Sequence, residues 1–449
     1  MKPARLRNPD KKIVRTASRS AVQNYFAQLA AAGHHSWWLD PANRYRKTAT
    51  QTYGNDCNAT PKTVDDGALI AYIAASSPTH AIDGWSYLAR ATDAVLRGDL
   101  CAALHLGYYA ELRAAMSILA SEGIGVFNRR HPVINSSGVA TDSICQASQW
   151  DGAKSKFTDK GAGTHVIVWP MLSHWGSLSK AAELLDALIA PEGYRLKRWL
   201  TALSIPQPVR AISKGWFEKW GIDLGRLSAD HESRNMVSYR PSEFRLPPSP
   251  YAPDAINFVS KLWGLFEPAT SGRFPELERE LLKKIVRESG VEVTTTQLQN
   301  GLGMTPAVAD RWVAFLSTPS DSLPLALSEK LDDIEHTESA LQVISRAALL
   351  LFLATGSTRK HFIDAGCTST MLEFFWKRQC EIRFLGPASS LPENPIDLWQ
   401  DIKDHIDDAE AWIASAAANA TLGEWRKTQP EVMNQIVSFE LAGVWGFVS

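Results

Sequence analysis

The chain has 449 residues, of which 47 are basic and 48 acidic, so no global field draws a polyanion to it. A composition 45% apolar and 21% charged excludes a disordered or fibrous chain and suits a folded one with about two to four cores. Affinity for nucleic acid, where present, must come from a local patch.

Five scattered cysteines (Cys57, Cys101, Cys145, Cys367, Cys380) include no C-x-x-C pair. Neither a zinc ribbon nor a disulfide framework is signalled, which fits a reducing, cytoplasmic setting. The longest wholly apolar run, Ala347–Ala354, is too short to span a bilayer. The N-terminus lacks the apolar core of a secretory signal. Its first twenty residues carry Lys2, Arg5, Arg7, Lys11, Lys12, Arg15 and Arg19 against the single acid Asp10, and read as a solvated arm or a phosphate-contacting one.

Taken in order, Ser20–Ala32 predicts a helix capped by serine and stopped by Gly33. The paired histidines of His34–Pro41 have no third ligand nearby, so no metal is expected. Asp83–Leu96 predicts a helix broken by Gly98. In the next helix, Cys101–Gly123, Leu104, Tyr108, Leu112, Ala115 and Leu119 make one apolar face. Beside it, His105, Tyr109, Arg113 and Ser117 repeat every four residues and form a polar-aromatic edge suited to phosphates and bases. A satisfied bundle edge with Tyr109 half buried is the structural alternative.

Residues 128–163 are polar and rich in Gly and Ser, and read as an insertion or long loop; Thr164–Trp169 (THVIVW) is the best strand candidate. Helical spacing resumes at Ser177–Ile189, Leu196–Leu203 and Ser228–Tyr239, where Ser228 or Asp230 can act as cap and Pro241 ends the run. Five prolines between Pro241 and Pro253 mark a boundary. Beyond it the pattern gives helices at Ala255–Phe266, Pro275–Glu288, Thr294–Leu316, Glu338–Thr355 and Pro395–Ala418. The expected class is mainly α with little β. The expected organisation is an N-terminal arm and helix (1–60), a helical domain (61–245), a helical unit (255–318) and a C-terminal helical domain (326–449).

Tyr108, Tyr109, Ala110, Ala114, Ala115 and Leu119 spell a YYA-x-x-x-AA-x-x-x-L core, and Arg234, Asn235 and Tyr239 follow about one domain later as R-N-x-x-x-Y. Together these resemble the HEPN family over residues 80–245. The resemblance implies a four- or five-helix bundle that binds RNA or cleaves it without metal or cofactor, at a site usually composite across a homodimer. In that chemistry a 2′-hydroxyl attacks the adjacent phosphate, which calls for a base near neutral pKa and a cation for the developing charge. Arg234 matches the cation, and Asn235 an orienting amide. This chain departs from the pattern at Tyr239, where the family has histidine; a phenol is a poor base at neutral pH. His231, His105 and His131 are the candidate replacements, with Tyr109, Arg113, Arg129 and Arg130 as substrate contacts. The architecture also resembles prokaryotic defence or toxin proteins, which implies an RNA-directed effector with a possible protein partner.

Two other readings stand beside this one. A non-catalytic scaffold or sensor would bury Tyr239 and leave no histidine near Arg234, whereas an enzyme would hold one within hydrogen-bond reach. A DNA-binding regulator would use Thr296–Trp312, which patterns as a helix-turn-helix with Gly303 in the turn, but its second helix offers only Asp310 and Arg311 to a base edge. Asp397, Asp401, Asp404 and Asp408 form an acidic stripe opposite Trp399, Ile402, Ile406 and Ile413, the pattern of a solvated face on an amphipathic helix. Phosphate-loop, serine-hydrolase and zincin motifs are missing.

Overall fold

The computed structural model describes residues 5–33, 37–143, 146–151, 153, 155–161, 163–206, 215, 217, 227–239, 251–329, 338–382 and 391–448. The paired histidines His34 and His35, Cys145 and most of the proline-rich 241–253 boundary lie outside them.

The fold is mainly α, as the periodicity predicts. The chain opens with α1 (Asn8–Thr16), α2 (Arg19–Ala31) and α3 (Ala49–Asn58). Two long helices follow, α4 (Asp66–Leu96) and α5 (Leu100–Ser121), then two separate antiparallel hairpins. These are β1 (His131–Ile134) with β2 (Ala140–Ser143), and β3 (Gln146–Asp151) with β4 (Lys156–Gly161). Next come α6 (Thr164–Gly176), α7 (Ser179–Leu188), α8 (Leu196–Ala202) and α9 (Leu227–Tyr239). Helices α10 (Ala252–Leu265), α11 (Pro275–Ser289), α12 (Thr295–Leu302), α13 (Pro306–Leu316) and α14 (Leu323–Glu329) lead to the long α15 (Glu338–Ala365). The described chain closes with α16 (Glu373–Ile382), α17 (Trp399–Ser415), α18 (Leu422–Thr428), α19 (Pro430–Ile436) and α20 (Glu440–Phe447).

Helices α4, α5 and α15 are the centre of the molecule, and α15 packs on both of the others. Close approach is possible because small residues sit at the contacts: a Cβ on Gly107 of α5 would lie 3.0 Å from Val343, and one on Gly84 of α4 would lie 2.6 Å from Leu351. The apolar faces merge into one cluster running from Leu6 to Val448. By length and apolarity, Ala340–Ala365 within α15 passes the test for crossing a membrane, but its most apolar stretch is wholly buried in this core.

Several elements differ from the sequence expectation. Helix α4 starts at Asp66, far ahead of Asp83, because the Asp65 side chain accepts from the Ala68 amide and caps it. It continues through Pro78, where the Ser117 hydroxyl of α5 donates to the Ser77 carbonyl and Thr79 donates to that of Ala75. Within the stretch expected as an insertion or long loop, His131–Ile134 pairs with Ala140–Ser143 and Gln146–Asp151 with Lys156–Gly161. Thr164–Trp169, expected as a strand, is the first half of α6: Ile167, Val168, Met171, Leu172 and Trp175 are buried at helical spacing. The described part of the basic N-terminus packs onto the fold, with Leu6 and Val14 buried and Arg7 paired to Asp10 at 3.1 Å. Asp230 lies inside α9 and does not cap it.

Asp230 instead joins a buried ion network. Arg346 of α15 donates to Asp230 Oδ2 of α9 at 2.9 Å and to Glu111 Oε1 of α5 at 3.3 Å, all three groups being buried. Burial, with Asp230 beside it, pushes the Glu111 carboxyl well above the usual range. Arg346→Met strands both carboxylates and should lower the unfolding free energy by about 3–5 kcal/mol at neutral pH. Because the folded-state Glu111 pKa is raised, protonation favours the fold, so the deficit should shrink on acidification toward the ordinary glutamate range. Urea unfolding of wild type and variant at two pH values checks both statements.

Candidate functional site

The α5 edge meets α9 and the start of α6. Of the four edge residues, His105, Tyr109 and Arg113 are half buried, and Ser117 is fully buried against α4. Helix α9 runs across them, with Arg234 and Ser238 facing α5.

Arg234 is the centre. Only 6% of it is exposed, and its guanidinium lies over both tyrosine rings, 5.5 Å from the Tyr108 centroid and 5.1 Å from that of Tyr109. One terminal nitrogen donates to Tyr109 Oη at 2.9 Å and the other to Asn235 Oδ1 at 2.8 Å. Its Nε has no hydrogen-bond partner. No carboxylate among the described side chains pairs with it, in contrast to Arg346 one layer deeper. A buried cation without a counter-ion is costly unless an anion arrives to meet it.

Three imidazoles surround this cation. His105 Nδ1 lies 2.6 Å from Ser238 Oγ, and that hydroxyl donates to the Arg234 carbonyl at 2.7 Å. With the Ser238 proton so committed, His105 Nδ1 is the donor and its Nε2 holds a lone pair. Asn235 Oδ1 is taken by Arg234, so its amide nitrogen faces His231 Nε2 as a donor at 3.4 Å. His165 stacks on His231 with centroids 5.3 Å apart and rings 8° from parallel, and its Nδ1 lies 3.0 Å from Tyr108 Oη. Burial first, and the Arg234 charge second, lower all three histidines, His165 to about 4. They are therefore neutral at neutral pH, the state a general base requires.

The structure thus brings together His105, Tyr109, His231, Arg234 and Asn235, and adds His165. The strand reading of THVIVW hid His165; the helical spacing continues past Pro170 to Trp175 and is the signal that places it. Tyr239 is 76% exposed at the end of α9 and touches none of these groups. Neither sequence-level criterion is met outright: Tyr239 is not buried, and no histidine bonds Arg234 directly, since Asn235 and Ser238 intervene. Arg113 lies one turn from Tyr109 and donates to His80 Nδ1 at 3.0 Å, with Asp83 at 3.7 Å. Arg130 is paired with Asp142 and with Asn58, and Arg129 is exposed at a positive-φ turn; both sit at the hairpin and outside the cluster. His131 is buried in β1 opposite Ser143.

The chain was compared with protein families, curated proteins and solved structures. None matches.

Elsewhere, Thr296–Trp312 does form two helices around Gly303 at φ 72°, with a capping box at Thr294 and Trp312 buried. Asp310 of the second helix accepts from Thr295, 2.7 Å away. A groove of about 1050 Å³ runs between α8 and the first of these helices and is remote in sequence from Arg234. Ile402 and Ile406 are buried as the stripe on α17 predicts, and among the described residues no group of three or more His, Cys, Asp and Glu is placed to hold a metal ion.

Lowered histidines link folding to pH. The unfolded chain protonates them near 6.5 while the fold keeps them neutral, so stability should fall as pH drops from about 6.5 toward the folded-state values. His165→Gln should flatten that slope between pH 6.5 and about 4. Urea midpoints measured across this range test it.

Proposed function

We propose that the cluster around Arg234 binds a phosphodiester and that the protein is an RNA-cleaving effector of the HEPN type. The observation that carries this reading is a buried guanidinium with no carboxylate partner among the described side chains, flanked by three neutral imidazoles. A phosphate supplies the missing counter-charge. Arg234 stabilises the charge that builds on the phosphorane, with Tyr109 and Asn235 holding its plane. Of the histidines, His105 is best placed as the base. Ser238 anchors its Nδ1–H, which leaves the Nε2 lone pair for a 2′-hydroxyl. The Nε2 of His231 already faces Asn235, so His231 and His165 tune the site and do not take the proton. The hydroxyl proton passes to His105, the new P–O bond closes a 2′,3′-cyclic phosphate, and the 5′-oxygen leaves.

Exposed Met236 and Tyr239 lie on the outer side of α9 beside the cluster. A second copy docking there would make the site composite, and a protein partner in a defence complex would use the same face.

One observation favours a second reading, a non-catalytic sensor of nucleic acid: both terminal nitrogens of Arg234 are already engaged within the protein.

Cleavage of total RNA in the presence of chelator separates the two. Arg234→Ala should lose activity by about 10²–10³-fold and His105→Ala by about 10²–10⁴-fold, with cyclic-phosphate ends on the wild-type products. Because the base has a lowered pKa, the wild-type rate should hold as pH falls through about 6.5 and decline only below it. Intact RNA binding with no cleavage by the wild type at any pH would leave the sensor reading.

A further inference from the structure

Arg113 points from the α5 edge into a second cavity, about 240 Å³, that also takes in Tyr72, Ser76 and His80 of α4. Because the Arg113 guanidinium donates to His80 Nδ1, that imidazole nitrogen must be an acceptor, and the ring proton sits on Nε2. The same Tyr72, Ser76 and His80 line a third and wider cavity of about 480 Å³. Its other walls are aromatic and basic: Trp37, Trp38 and Phe374, with Arg46 and Arg378 among the residues at its edge.

The floor of this groove is rigid. Trp38 stacks on Phe362 of α15 with centroids 5.2 Å apart and rings 2° from parallel, and Phe374 and Phe375 of α16 meet it at 5.0 and 5.3 Å. The Tyr25 hydroxyl donates to the Trp38 carbonyl at 2.6 Å and fixes the backbone beside Trp37. Trp37 itself is 46% exposed. Arg46 is exposed with no ion-pair partner among the described residues, and Arg378 has Glu381 of its own helix at 3.6 Å. An open indole over an ordered aromatic floor, with guanidinium groups alongside, is the chemistry that stacks an unpaired base and holds its phosphates. A duplex offers no free base face to it.

We propose that this groove is a base-stacking subsite for a single RNA strand, which passes Arg113 and His80 to reach Arg234. The proposal rests on the cleavage reading above and names its substrate as unpaired RNA. Trp37 takes one base, Arg46 and Arg378 take flanking phosphates, and Arg113 with the His80 Nε2–H takes the backbone between the two sites.

The test is equilibrium binding of a fluorescein-labelled strand of about 14 nucleotides to the full chain, beside a duplex of the same sequence. Trp37→Ala should weaken strand binding about tenfold or more and leave duplex binding unchanged, while Trp37→Phe keeps it within about twofold. Arg46→Ala/Arg378→Ala should weaken it too and reduce its salt dependence. Thermal melts confirm that each variant folds. Wild-type affinity in Trp37→Ala, or no strand binding by the wild type, overturns the proposal. A dinucleotide, too short to reach the groove, separates the two readings. If the dinucleotide is cut through Arg234 while strand binding ignores Trp37, the chemistry stands and the groove is overturned. Trp37-dependent binding without Arg234-dependent cleavage keeps the groove and removes the chemistry.

Discussion

The interaction on which the structure turns is the buried bridge from Arg346 to Glu111 and Asp230. It ties α15, α5 and α9 together in a place where water cannot screen or replace any partner. Two carboxyl groups share one guanidinium, and the raised pKa of Glu111 reflects its burial first and the Asp230 charge second. An apolar trio would bury as favourably, so the network matters less for raw stability than for register. Asp230 can meet Arg346 only when α9 lies at one height and rotation on α5. That rotation carries Arg234, one turn farther along, onto the two tyrosines.

Arg234 is the mirror of that arrangement. It is buried too, but its partners among the described side chains are neutral: a phenol, an amide and two aromatic faces. Its charge is felt by His105, His165 and His231, each of which it pushes toward the neutral form. The result is a cluster in which Arg234 carries a positive charge and the imidazoles keep their lone pairs. Fold stability would be better served by a carboxylate at this point. No described side chain supplies one, and this supports the anion site proposed above.

The surroundings extend this logic along α4. Pro78, which would ordinarily break the helix, lies inside it, with Ser117 and Thr79 donating to the nearby carbonyls of Ser77 and Ala75. The helix therefore passes without interruption from the Trp37 groove, through Tyr72 and His80, to the Arg113 end of the α5 edge. The N-terminal segment and α16, distant in sequence, supply the groove's aromatic walls, so the surface near the site is assembled from both ends of the described chain.

The sequence by itself determined the helical class, the inward face of α5, its polar edge, and the Arg234–Asn235 pair on a helix. Each of these follows from local periodicity, which depends only on residues within a few turns of one another. The outward side of the Asp397–Asp408 stripe was legible for the same reason. Tertiary structure decided the rest. Only packing showed that Thr164–Trp169 is helical, since its β-branched run favours a strand until Met171, Leu172 and Trp175 are counted on the same buried face. Packing likewise turned Asp230 from a helix cap into a buried ion partner, and drew Arg129 and Arg130 away to the hairpin. It also placed Tyr239 in solvent and gave His105 its tautomer through Ser238. The His105–Ser238 and Arg234–Tyr109 contacts join segments more than a hundred residues apart, and pair distances of that kind leave no periodic trace in one chain.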